Sequence, residues 1–132
     1  MNVQSERRQV ILLLDDIEET RHLTEKMLGN NFCIMRAEGE EEAILKARSE
    51  SPNLILMSLG LGLEQLIATA QRLRQNAALG EEVTIVIFCV PTIPEGAEME
   101  VHKNIYVTRP DNFNQLRGFL HRLLLHQHSP TY

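Results

Sequence analysis

Apolar and polar positions along the chain alternate between two regimes, and their order predicts the architecture. Val10-Ile11-Leu12-Leu13-Leu14 is a continuous aliphatic run, the pattern of a strand covered on both faces. It ends on two carboxylates, Asp15 and Asp16. The stretch 18–28 then places Thr20, Leu23, Thr24, Met27 and Leu28 at helical spacing. Glu18 and Glu19 occupy its first turn, where negative charge suits the helix dipole, and Gly29-Asn30-Asn31 stops it. A second short strand is predicted over 32–37. A helix follows over 40–49, with Ala43, Ile44 and Ala47 as its narrow apolar stripe. Ser51-Pro52 breaks that helix. A third strand over 54–59 contains Ser58, a small polar residue at its end.

After the loop Gly60-Leu61-Gly62, a third amphipathic helix is expected over 63–77, with Leu63, Leu66, Ile67, Ala70 and Leu73 on one side. Residues 83–90 form a fourth buried strand and 105–108 a fifth, running into Arg109-Pro110. The last helix starts near Asp111, the expected N-cap, and turns Phe113, Leu116, Phe119, Leu120, Leu123 and Leu124 inward. The segment 91–103 is the irregular one. It holds Pro91, Pro94 and Gly96, and its apolar positions Ala97, Met99 and Val101 fit a helical stripe poorly. The fourth helix is therefore expected to be short or irregular.

Strand and helix alternate five times. That order implies α/β architecture: parallel strands joined by right-handed crossovers, with helices on both faces. The candidate is a flavodoxin-like doubly wound (βα)5 three-layer sandwich with a parallel five-stranded sheet in the order 2-1-3-4-5. A length of 132 residues suits one domain, here with a core over about 9–125 and a flexible tail over 126–132. Open parallel sheets carry their sites at the C-terminal ends of their strands. Three strands here end in polar groups: Asp15-Asp16, Ser58 and Arg109-Pro110.

In order and spacing, the strand pattern together with Asp15-Asp16, the segment 52–57, Tyr106 and Arg109-Pro110 resembles the response-regulator receiver domain of two-component signalling. The resemblance runs over about residues 9–125. In that family an acidic pair and a phosphorylated Asp hold Mg²⁺, and a Lys-Pro follows the last strand. The resemblance assigns Asp15 and Asp16 to the acidic pair, Ser58 to the acceptor position, and Arg109 to the Lys. Cys89, or Phe88 one residue earlier, falls where the family carries a Ser or Thr, and Tyr106 falls at the switch aromatic. The Arg109–Pro110 bond is a candidate for the cis form, which only X-Pro tolerates.

The departures carry the functional expectation. A serine hydroxyl has a far higher pKa than a carboxyl group, needs a base to attack phosphorus and brings no charge to a metal. Mg²⁺ binding is therefore expected to be weak or absent, with no other cofactor. Arg109 presents a planar fork that pairs bidentately with carboxylates, and is expected to bridge to Asp15 or Asp16. The blander reading of Asp16 is a cap on the first helix. The chain reads as an atypical receiver: a non-enzymatic interaction module, binding a histidine kinase or an output domain without standard Asp phosphorylation. The alternative is a phosphate acceptor using Asp15, Asp16 or a modified Ser58.

Other features narrow the picture. A net charge of −5 disfavours direct nucleic-acid binding, which needs clustered Lys and Arg. No apolar run reaches the roughly 18 residues of a membrane span, so a cytoplasmic location is expected. Cys33 and Cys89 fall in apolar runs without CxxC spacing and read as buried small hydrophobes. The five histidines, His22, His102, His121, His126 and His128, show no metal-binding spacing, and the run Glu38, Glu40, Glu41, Glu42 reads as a solvated helix start. Gly60-Leu61-Gly62 lacks the third glycine of a dinucleotide fingerprint, which disfavours a cofactor-dependent enzyme. Leu123-Leu124-Leu125 suits either core burial or a homodimer face, so monomer and homodimer both stand.

Overall fold

The structure is a computed structural model that describes residues 8–88 and 90–127. In chain order the elements are β1 (Val10–Asp15), α1 (Glu18–Leu28), β2 (Cys33–Ala37), α2 (Glu40–Ser49), β3 (Leu54–Ser58), α3 (Leu63–Asn76), β4 (Thr84–Phe88), β5 (Glu98–His102), β6 (Ile105–Thr108) and α4 (Phe113–Gln127). They build one six-stranded sheet in the order β2-β1-β3-β4-β6-β5. The first five of these are mutually parallel and follow the expected doubly wound order, with β6 in fifth place.

The sixth strand corrects the expectation of a fourth helix. Glu98–His102 pairs antiparallel with β6 at the sheet edge, with a register irregularity between Glu100 and His102. Ala97, Met99 and Val101 are spaced by two, the period of a strand.

Strand parity divides the core into two layers. Leu12, Leu14, Ile55, Met57, Ile85 and Ile87 point to one face, where α2 contributes Ala43 and Ala47 and α3 contributes Leu66, Ala70 and Leu73. Ile11, Leu13, Leu54, Leu56, Val86 and Phe88 point to the other, where α1 contributes Leu28 and α4 contributes Leu116, Phe119, Leu120 and Leu124. Sealing a strand on both faces in this way removes every side chain of 11–14 from water. Each such Leu or Ile is worth about 1.5–3 kcal/mol of burial.

Local differences from the expected pattern have identifiable causes. The inner face of α1 is Arg21, Thr24 and Leu28 rather than the stripe through Thr20 and Leu23. Arg21 turns inward because its guanidinium donates to the Asp15 carbonyl at 2.8 Å. The cap of α4 is Asn112, not Asp111: its Oδ1 accepts the Gln115 N–H at 2.9 Å, and the Gln115 side chain returns to the Asp111 N–H at 2.7 Å. Cys33 is exposed on the edge strand β2 instead of buried. Cys89, His128 and the tail beyond it lie outside the described residues.

A buried arginine ties the opposite end of the sheet together. Arg74 of α3 donates to the carbonyls of Lys103, Val83 and Asn104 at 2.8, 2.8 and 3.0 Å. Desolvation pushes its pKa below the usual arginine value, against the pull of Glu81 and Glu82.

Candidate functional site

The C-terminal ends of β1, β3, β4 and β6 form one rim, and the sheet register fixes what meets there. Asp15 is the last residue of β1 and lies directly beside Ser58, the last residue of β3. Asp15 is buried and fully engaged. Its Oδ1 accepts the Ile17 N–H at 2.9 Å, and its Oδ2 accepts the Thr20 hydroxyl at 2.7 Å. The first of these is an Asx turn that directs the chain into α1. Asp16 is exposed and makes no such contact with a described residue; α1 starts from Ile17 with no side-chain cap, so the cap expected of Asp16 is not formed. The two carboxylates expected to act as a pair are thus separated in environment: one sits inside a hydrogen-bond network, the other in water.

Arg109 does not bridge to either of them. Its Nη1 donates to the carbonyls of Ile93 at 3.0 Å and Pro91 at 3.4 Å, and its Nη2 lies 3.9 Å from Glu95. Its backbone is tied to the same segment, donating to the Ala97 carbonyl at 3.1 Å and accepting from the Gly96 N–H at 2.6 Å. The Thr108 hydroxyl also bonds to the Ala97 carbonyl, at 2.8 Å. Pro91 and Ile93 lie outside the regular elements, and the guanidinium fork supplies donors to their carbonyls. The cis peptide anticipated at Arg109–Pro110 is likewise corrected: the described chain contains no cis bond.

Tyr106 is half-buried. It packs edge-on against Phe119 of α4, with ring centroids 5.8 Å apart and planes at 83°. Burial raises its phenol pKa above the usual value, with a further contribution from the Glu100 carboxylate across the β5–β6 ladder. The other sequence candidates do not converge here. His102 meets Gln71 at 3.0 Å, and His121 stacks on Phe32 at 4.8 Å. Glu40 pairs bidentately with Arg72, both contacts at 2.8 Å, which lowers its pKa.

Above Ser58 the rim opens into a cleft of about 550 Å³. Its lining includes Asp16, Ile17, Leu23, Leu61, Phe88 and Phe113. Sequence patterning missed this role for Ile17, Leu23 and Leu61. The available signal was two large apolar side chains in loops, Ile17 and Leu61, that no core stripe used; Leu23 was hidden because the helical spacing assigned it to the inner stripe of α1.

The residues do not fit the Mg²⁺ that the family resemblance implies. Mg²⁺ is held through carboxylate oxygens. Of the three acidic positions Ser58 supplies no charge, each Asp15 oxygen already accepts a hydrogen bond, and Asp16 is the one carboxylate with no described partner. Among the described residues no group of three or more His, Cys, Asp or Glu side chains is arranged to hold a metal ion.

No protein-family model and no curated protein matches this sequence. Solved structures do match in shape. The receiver-modulated diguanylate cyclase structure from Pelobacter carbinolicus superposes with a TM-score of 0.63 at 17% identity, over 90% of this chain and 98% of that one. The signal receiver domain of an HD domain-containing protein from Pseudomonas fluorescens Pf-5 gives 0.69 at 19% identity, over 92% and 90%. A Thermotoga maritima response regulator, solved with Mg²⁺ and beryllium fluoride, gives 0.64 at 21% identity, over 87% and 98%. The chain has the flavodoxin-like fold of response-regulator receiver domains.

Proposed function

We propose that this chain is a receiver-like module of two-component signalling that acts through protein contacts without phosphorylation of an aspartate. The observation that carries this reading is the pairing of Ser58 with Asp15 at the ends of β3 and β1. The acceptor position is filled by a neutral hydroxyl, and both oxygens of its carboxylate neighbour accept hydrogen bonds, from Ile17 and Thr20. Two further features support it. Arg109 is committed to the 91–97 segment rather than to the rim, and the space over Ser58 is lined mainly by apolar side chains. With no charge arriving at the rim, Tyr106 has little to drive a rotation at the switch position. Histidine kinases and output domains are the natural partner classes, reached in the cytoplasm; among the described residues no helix is long and apolar enough to cross a membrane.

Incubation with acetyl phosphate and Mg²⁺, followed by intact mass analysis, tests the proposal. The expected result is no phosphate adduct. An adduct that disappears in Asp16→Asn, Asp15→Asn or Ser58→Ala would overturn it and assign the acceptor.

A further inference from the structure

Six large apolar side chains are notably exposed among the described residues: Ile17, Leu23, Leu45, Leu61, Met99 and Leu125. Three of them, Ile17 at 53%, Leu23 at 50% and Leu61 at 46%, line a single cleft, the one above Ser58. They come from three separate stretches of chain: the β1–α1 turn, the outer face of α1 and the β3–α3 loop. Exposed apolar side chains scattered singly need no explanation, but a gathered set marks a binding surface.

The cleft has depth as well as a mouth. Its lining reaches Thr24, Leu66 and Phe88, which are buried in the core. Its volume of about 550 Å³ falls within the roughly 300–1,000 Å³ of small-molecule sites, which are mostly apolar with a few placed polar groups. Here those groups are the Ser58 hydroxyl at the strand end and the Asp16 carboxylate, neither of which bonds to another described side chain. Among the described residues no Lys, Arg or His lines the cleft. Arg109, the cation that follows β6, is turned to the carbonyls of Pro91 and Ile93. The α1 first turn adds the exposed Glu18 and Glu19 beside Asp16. The charged side chains described at the mouth are therefore carboxylates, the opposite of what a phosphoryl group needs, while the Arg21 guanidinium is buried against the Asp15 carbonyl.

We infer that this cleft is a binding site for a small amphiphilic cation, an apolar aromatic or aliphatic body bearing an amine. The body fills the space between Ile17, Leu23, Leu61 and Phe113, and the ammonium pairs with Asp16. The inference rests on the reading that Ser58 has removed phosphoryl chemistry from this rim. A site once open to water and charge is then free to take apolar cargo.

Methyl-detected NMR titration with 2-naphthylmethylamine, its neutral N-acetyl derivative and 2-naphthoate tests this. The amine is expected to produce saturable shifts confined to Ile17, Leu23 and Leu61. It should bind up to about fivefold tighter than the amide, as one exposed ion pair implies, with the carboxylate weakest. Asp16→Asn should abolish the preference for amine over amide, and Leu23→Gln, a change at an exposed position, should weaken all three probes. Silence with every probe overturns the inference, as does naphthoate binding as tightly as the amine. Shifts that spread equally to Leu45, Met99 and Leu125 indicate adhesion to any apolar surface and also overturn it. The same samples are then titrated with Mg²⁺ and beryllium fluoride. Saturation there removes the underlying reading whatever the amine does, whereas silence there together with amine silence removes this inference alone.

Discussion

Ser58→Asp, compared with the isosteric neutral Ser58→Asn, measures how the rim responds to a restored charge. Asp15 and Ser58 are direct neighbours across the parallel β1–β3 ladder, so an introduced carboxylate lies about 5 Å from that of Asp15. At that separation two like charges repel by about 3 kcal/mol at an effective dielectric of 20 and by about 1 in bulk water. Ser58 is half-buried, which places the expected cost between these limits. In chelator at pH 8, Ser58→Asp should therefore be about 1–3 kcal/mol less stable than Ser58→Asn by urea denaturation followed by circular dichroism. The pH dependence has a definite sign. Repulsion raises the folded-state pKa of the carboxyl pair above its unfolded value, so the native state holds protons more tightly. The two variants should be equally stable below about pH 4 and diverge as pH rises through the raised pKa. A divalent cation offsets the repulsion: at tenfold its dissociation constant, Mg²⁺ should restore about 1.4 kcal/mol to Ser58→Asp and nothing to Ser58→Asn. Equal stability of the two variants at pH 8, or equal response to Mg²⁺, would refute the placement of Ser58 beside Asp15.

Three further outcomes are expected. Arg74→Met keeps the apolar stem but removes the guanidinium donors of the Val83 and Lys103 carbonyls and one of the two donors of the Asn104 carbonyl, which keeps the Ile85 N–H, and should cost about 2–4 kcal/mol in urea denaturation, as loss of charge-assisted bonds to buried and part-buried acceptors does. The Tyr106 phenol titrates above its usual value in the folded state because of burial and Glu100; its contribution is full below the unfolded pKa and is lost as pH rises through the folded one, so stability should fall in the alkaline range and fall less in Tyr106→Phe. Glu40 is held below the usual carboxylate range by its bond to Arg72; carboxyl NMR titration should show its pKa rise in Arg72→Gln and stay put in Arg48→Gln.

The elements legible in the sequence were those whose pattern is local. The aliphatic runs at 10–14, 54–57 and 84–88 and the apolar stripe of α4 each need only their own period to be read, and the structure places them as expected. The failures are tertiary in origin. Whether Asp15 or Asp16 turns inward depends on strand parity at the very end of β1, and Arg21 displaces Leu23 from the inner face only because the Asp15 carbonyl needs a donor. The alternation of Ala97, Met99 and Val101 was visible, but β5 exists through its ladder with β6, a long-range partner that no window of sequence contains. Arg109 was recognised as a cation at a strand end; its targets, the carbonyls of Pro91 and Ile93, lie outside the regular elements. The cleft was invisible for the same reason, since Ile17, Leu23 and Leu61 meet only after a turn, a helix face and a loop have converged.

The central claim is that the rim at Ser58 no longer takes a phosphoryl group. Backbone amide NMR of the wild-type protein titrated with Mg²⁺ and beryllium fluoride tests it most directly. The account predicts no saturable shift at 15–17, 58–60 or 108–109, while Ser58→Asp does respond. Saturable shifts at those residues in the wild type would contradict it.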